Sequence, residues 1–199
     1  MGAHSTGKSL LMRRIEMELR GQGAAVARTG GLGRRAAAVP LPKMQYHTAE
    51  STKWVIATGI ADEVVAAAGL EEGPVRVVLA GRACWDAISY FRAAQEWRQQ
   101  AATRADREAV DQLASAHGPA YDLLLATVLD PDLPVKDKGH YDPRYRKMVD
   151  RHTHDLLREE GLGYIRVTSE AASQQHAIEQ VLQICMPQRP VAHSVWPTS

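Results

Sequence analysis

Gly2-Ala3-His4-Ser5-Thr6-Gly7-Lys8-Ser9 is a complete G-x-x-x-x-G-K-S pattern, and its reading decides the fold. The two glycines permit backbone conformations closed to other residues and leave room for anionic oxygens against the main chain. Lys8 supplies a point charge for outer phosphates, and Ser9 a hydroxyl suited to magnesium. Behind the loop, Leu11, Ile15 and Leu19 recur on one helical face, so a helix is expected from Lys8 to Arg20, ending near Gly21 and Gly23. Its N-terminus aims a partial positive charge at whatever anion the loop holds. The expected phosphate-contacting set is Gly2, Ala3, His4, Ser5, Thr6, Gly7, Lys8, Ser9 and Leu10, with Ser9 as metal ligand, ATP as ligand and Mg2+ as its ion. His4 reads equally as a contact to the γ-phosphate or acceptor and as a plain loop residue. The competing reading of the whole stretch is a Gly/Ser turn capping an ordinary helix.

Outward from the loop, short apolar runs alternate with longer helical patterns, the signature of an α/β chain with a parallel sheet. Strands are expected at Ala24 to Arg28, Val75 to Ala80, Tyr121 to Leu129 and Tyr164 to Thr168. Helices are expected at about His47 to Ala68, Asp86 to Gln100, Asp106 to Ala116, Pro143 to Glu160 and Ala171 to Cys185. With 199 residues, 45% hydrophobic and 24% charged, the chain can bury one core, giving a single domain over 1–186. Pro187 to Ser199 carries three prolines and no periodicity and is expected as a disordered tail. A formal charge of +1 gives no reason to expect nucleic acid or an acidic membrane surface. Cys84 and Cys185 are too few and too far apart for a disulfide framework, which favours a reducing, cytoplasmic setting. No apolar run is long enough to span a membrane, so no membrane partner is expected.

Three features in order carry a resemblance: Ser5-Thr6-Gly7-Lys8-Ser9, then Arg82-Ala83-Cys84-Trp85-Asp86 after a strand, then Leu129-Asp130-Pro131-Asp132-Leu133-Pro134 with a basic follow-on. Together they resemble the small bacterial AAA-domain ATP-binding proteins related to the nicotinamide riboside kinase domain and, more distantly, to thymidylate and deoxynucleoside kinases. The resemblance covers about residues 2 to 185. It implies a P-loop NTPase, kinase-like three-layer fold with ATP as ligand, and is weak on the acceptor. In such proteins the strand feeding the loop lies mid-sheet, flanked by the strands that correspond to Val75–Ala80 and Tyr121–Leu129. Only Met1 precedes the loop, so that strand is missing. Its omission would leave facing rows of backbone groups unpaired, about 1–3 kcal/mol for each group left unsatisfied. The expectation is therefore a functional protein with about ten more residues upstream, to be checked by comparing ATP binding and melting of both forms.

The same resemblance assigns roles residue by residue. Relatives end the strand after the long second helix in Asp-Arg, whereas this chain has Gly81-Arg82. Arg82 keeps the substrate-contacting cation, and Asp86, four residues on, is a substitute for the missing acid. Arg28-Thr29-Gly30-Gly31-Leu32-Gly33-Arg34-Arg35 resembles the substrate loop of thymidylate kinases without its acid. Arg28, Arg34 and Arg35 there suit an anionic acceptor or are simply solvated. The stretch at about 130–160 corresponds to the lid, with Lys136, Lys138, Arg144, Arg146, Lys147 and Arg151 interspersed with Asp137, Asp142 and Asp150. Arg144 and Arg151 lie two turns apart on one face and are the expected lid cations, with Arg146 pointing elsewhere; the alternative is an exposed helix held by local ion pairs. Lys8, Asp86, Arg144 and Arg151 form the expected catalytic set.

Other features carry less. His152 and His154, two apart in a helix, do not share a face for one metal. Trp54, Trp85, Trp97, Tyr46 and Tyr90 read as packing before they read as a ring-binding pocket. Thr168 to Ala171 is a candidate adenine edge on fold analogy alone. The expected function is transfer of the ATP γ-phosphate to a small molecule such as a nucleoside, nucleotide or related metabolite. A nucleotide-dependent switch and a catalytically weakened ATP binder stand as alternatives.

Overall fold

The computed structural model describes residues 1–132 and 142–186. Leu133, Pro134, Lys136, Asp137 and Lys138 of the expected lid, and the tail from Pro187, lie outside the described residues.

The chain is mixed α/β. Its elements run α1 (Lys8–Gly21), β1 (Ala25–Arg28), α2 (Leu32–Ala38), α3 (Ala49–Ala68), β2 (Arg76–Leu79), α4 (Cys84–Arg98), α5 (Arg104–His117), β3 (Leu124–Thr127), α6 (Pro143–Glu159), β4 (Tyr164–Val167) and α7 (Ala171–Cys185). Single 3-10 turns at Met44–Tyr46 and Gly118–Ala120 complete it. All four expected strands form, each four residues long. They do not make one sheet. β1 pairs in parallel with β2, Ala25 opposite Arg76 through Arg28 opposite Leu79. β3 pairs in parallel with β4, Leu124 opposite Tyr164 through Thr127 opposite Val167. Among the described residues no ladder joins β2 to β3.

Helix boundaries follow local chemistry. α3 opens on a capping box in which the Thr48 hydroxyl accepts from the Ser51 N–H (3.3 Å) and the Ser51 Oγ accepts from the Thr48 N–H (2.8 Å). Thr103 caps α5 by accepting from the Asp106 N–H at 3.1 Å. Asp142 caps α6 by accepting from the Arg144 N–H at 2.7 Å, with Pro143 in the first helical position. α2 falls where a substrate loop was expected. Gly31, at φ 75, turns the chain, its carbonyl accepts from the Arg34 and Arg35 amides, and the Ala-rich run that follows favours helix.

Three apolar clusters hold these elements. One joins α3, α4, α5, β3 and α6 through Ile56, Trp85, Ile88, Phe91, Val110 and Leu156. A second joins α1, β1, β4 and α7 through Leu11, Ile15, Leu19, Val26, Val167 and Ile178. The third sits under the loop, where Ala3 packs with Tyr90, Ala93 and Ala94 of α4 and Tyr145 and Val149 of α6. The loop thus rests on the helix pair α4–α6, which fixes the side chains around it.

Candidate functional site

The glycine-rich loop lies against the end of β3 and runs into α1. Thr127 N–H donates to the Met1 carbonyl (3.0 Å), and the Thr127 hydroxyl lies 2.6 Å from the Thr6 hydroxyl. Gly2, at φ 129, presses on the same residue: a Cβ there would lie 2.4 Å from Thr127 Oγ1 and 2.7 Å from its carbonyl oxygen. Ser5 (φ 57) and Gly7 (φ 84) take left-handed conformations, so the loop curls instead of extending. Such alternation gathers main-chain amides into a concave, anion-seeking surface. Gly7 precedes α1 directly, and its carbonyl accepts from the Leu10 (2.9 Å) and Leu11 (3.0 Å) amides. The Lys8 and Ser9 amides belong to the first turn, where a helix offers donors to an external acceptor.

Cations converge on this loop. Lys8 Nζ donates to the Gly2 carbonyl (2.7 Å) and to the Ala3 carbonyl. Burial and then the neighbouring Arg82 push its pKa down to about 8, against the pull of Asp86 and Asp150. It therefore stays mostly protonated at neutral pH. Arg146, buried in α6, donates from Nε to the His4 carbonyl (3.0 Å) and from Nη2 to the Ser5 carbonyl (2.9 Å), two charge-assisted bonds that tie α6 to the loop. Arg82 lies over the Tyr90 ring, 5.0 Å from its centre. His4 is buried beside Tyr90, with Nδ1 3.5 Å from the phenol oxygen. Burial, then Arg146, Lys8 and Arg82, hold its pKa at about 4, so it is neutral at pH 7. Burial first, and three nearby cations after it, keep this histidine uncharged, and a cluster of cations attracts an anion.

Asp86 is the buried acid of this region. Its Oδ1 accepts from the Gly2 N–H (3.0 Å), its Oδ2 accepts from the Ala83 N–H (3.3 Å), and the Met1 amino group lies 4.0 Å away. The expected substitute acid thus touches the loop through the Gly2 amide, while the Ala83 amide at the start of α4 holds its other oxygen. Ser9 is exposed in the first turn of α1. Among the described residues no three His, Cys, Asp or Glu side chains gather to hold a metal. A single exposed hydroxyl in the first turn of α1 fits an ion held chiefly by phosphate oxygens and water, the habit of magnesium.

The remaining expected residues have partners of their own or face solvent. Arg28 pairs with Glu16 at 3.1 Å, Arg35 pairs with Asp62, and Arg34 is exposed on α2. Arg144 pairs with Asp142 (3.2 Å) and lies 5.2 Å over Trp97, while Arg151 pairs with Glu96, which also meets His152 at 2.7 Å. The loop-facing cation of α6 is Arg146. Its sequence signal is its place beside the buried stripe Tyr145, Val149, Thr153 and Leu156, a stripe that the count of charges alone hides. The β4–α7 turn is closed by its own bonds, Ser173 Oγ accepting from the Thr168 N–H at 3.0 Å.

A second polar group went unforeseen. Tyr121 accepts from the Cys84 N–H (3.0 Å) and donates to Glu63 Oε1 (3.1 Å), while His117 meets Glu63 Oε2 at 2.8 Å. Burial lifts the Cys84 thiol to about 11, which makes it unreactive. This group ties α3, α4 and α5 together away from the loop. No protein-family model matches the chain, and no curated protein matches it significantly.

Proposed function

We propose that the chain binds ATP with Mg2+ through Gly2 to Leu10 and transfers the γ-phosphate to a small-molecule acceptor, as a P-loop, kinase-like domain. The observation that carries this reading is the meeting of Lys8, Arg82 and Arg146 at a curled loop that opens directly into the N-terminus of α1. Main-chain amides and Lys8 take the phosphate chain, and Arg146 holds the loop in shape. Mg2+ would share negative charge with the phosphate oxygens, with Ser9 as its protein ligand. Arg82, held over Tyr90, is the cation for the acceptor or the transferring group. Asp86 acts by orienting the loop through the Gly2 amide.

The placement of Asp86 supports the second reading, a nucleotide-dependent switch or weakened catalyst. An acid whose oxygens already accept main-chain amides is a poor proton acceptor for an attacking hydroxyl. Calorimetric titration of ATP with magnesium is the test. Lys8→Ala should weaken binding at least tenfold while the thermal melt stays close to that of the parent, and unchanged affinity overturns the proposal. ADP release that requires an added acceptor marks the kinase; slow release without one marks the switch.

A further inference from the structure

Two histidines flank one buried ring. The ring centres of His4 and His47 lie 6.4 and 6.2 Å from that of Tyr90, and the Arg82 guanidinium lies over the same ring at 5.0 Å. His4 is part of the loop, whereas His47 comes from the turn ahead of α3, immediately before its Thr48 cap. Arg82 depresses the basicity of Lys8, His4 and His47 alike, so all three stand within the field of one cation. His47 therefore borders the phosphate site from the side of α3 and α4.

Its backbone and ring are both held. The His47 N–H donates to the Met44 carbonyl (3.1 Å), and the His47 carbonyl accepts from Arg98 Nη2 (2.9 Å). On the ring, Nδ1 lies 3.3 Å from Ser51 Oγ and 3.5 Å from Thr52 Oγ1. Neither hydroxyl has a hydrogen left for it. Thr52 donates to the Thr48 carbonyl at 2.7 Å, and Ser51 donates to the same carbonyl at 3.0 Å. Both oxygens thus offer Nδ1 a lone pair, which places the ring hydrogen on Nδ1 and leaves the lone pair on Nε2. Among the described residues no hydrogen bond reaches Nε2, and the residue is half-buried. Burial, then Arg82 and Arg98, hold the pKa at about 4, so at pH 7 Nε2 carries no proton.

We propose that His47 is the catalytic residue that accepts the hydrogen of the acceptor through Nε2, and that the acceptor is accordingly an alcohol and not a carboxylate or phosphate. This rests on the phosphoryl-transfer reading above and supplies the base that Asp86 does not. The acceptor oxygen bonds to the γ-phosphorus while the bond from that phosphorus to the β,γ-bridging oxygen breaks. ADP leaves with the electron pair of that bond, and the hydroxyl proton passes to Nε2 and from there to water. A hydroxyl turns strongly acidic as its oxygen bonds to phosphorus, so a weak base is enough. Arg82, Arg98 and the Tyr90 phenol surround the imidazolium so formed, and the two guanidiniums drive its proton out to solvent. A carboxylate or phosphate acceptor has no proton to lose and no use for a ring fixed in this tautomer.

The test is long-range proton–nitrogen NMR of the 199-residue chain with ADP and Mg2+ in the loop, first alone and then with glycerol, acetate or inorganic phosphate as probe. His47 should carry its hydrogen on Nδ1, and the Nε2 resonance should move saturably with glycerol and stay in place with the two anions. Glycerol should also speed ADP release from ATP, and His47→Gln, whose amide hydrogen-bonds but takes up no proton, should lower that rate at least tenfold. A hydrogen on Nε2, a response to either anion, no response to glycerol, or equal ADP release from parent and variant overturns the inference while ATP binding stands. Failure of the parent to bind ATP in calorimetry overturns the phosphoryl-transfer reading itself, and this inference with it.

Discussion

Gly2 combines φ 129 with a neighbour so close that any Cβ would overlap Thr127, so two independent penalties fall on one position. Gly2→Ala should destabilise the fold by about 2–4 kcal/mol, read as a fall in the urea midpoint, and should weaken ATP binding because the loop must lift away from β3. Gly7→Ala meets no nearby atoms and has only its left-handed backbone to strain, so it should be the milder change. At this scale the two glycines were legible, because Gly2 and Gly7 both take positive φ; the left-handed Ser5 carried no such signal. The contact between Gly2 and Thr127, 125 positions apart in the chain, was not legible either.

Within the element, α6 divides its arginines by face. Arg144 and Arg151 occupy the outer side in ion pairs with Asp142 and Glu96, of the exposed kind worth little to stability. Arg146 is buried and bonds the carbonyls of the loop. Arg146→Ala should therefore reduce ATP affinity about tenfold or more and lower the melting temperature, whereas Arg144→Ala and Arg151→Ala should leave both nearly unchanged; titration calorimetry and melts of the three variants check this. Seven-residue spacing sets Arg144 and Arg151 two turns apart on α6. It did not say which face meets the loop, because that depends on how α6 packs against α4 through Tyr145 and Val149. α2 shows the converse: a stretch expected as a loop becomes a helix because Leu32 is buried and Gly31 starts a turn.

For the molecule as a whole, two buried histidines beside the cationic centre shape the response to acid. His4, beside Arg146, Lys8 and Arg82, and His47, beside Arg82 and Arg98, are both held at about 4, chiefly by burial. Unfolding frees each to take a proton near pH 6.5, so below that pH the unfolded state binds more protons than the folded one. Stability is then complete above about pH 6.5 and falls as pH drops toward 4, by at most about 1.4 kcal/mol per pH unit for each histidine. Calorimetric melts between pH 7 and 4 should show this loss, and His47→Gln should make it shallower. The sequence by itself determined the loop pattern, the four strands, the helices other than α2 and the chemistry to expect, because glycine freedom, capping side chains and apolar periodicity are local properties. Only the tertiary structure decided that Arg146 is the helix's loop-facing cation, that Arg28 and Arg35 are bound to acids, and that the four described strands form two separate pairs. Each of these depends on which distant surfaces pack together, a matter of burial summed over the molecule that no short window of residues contains.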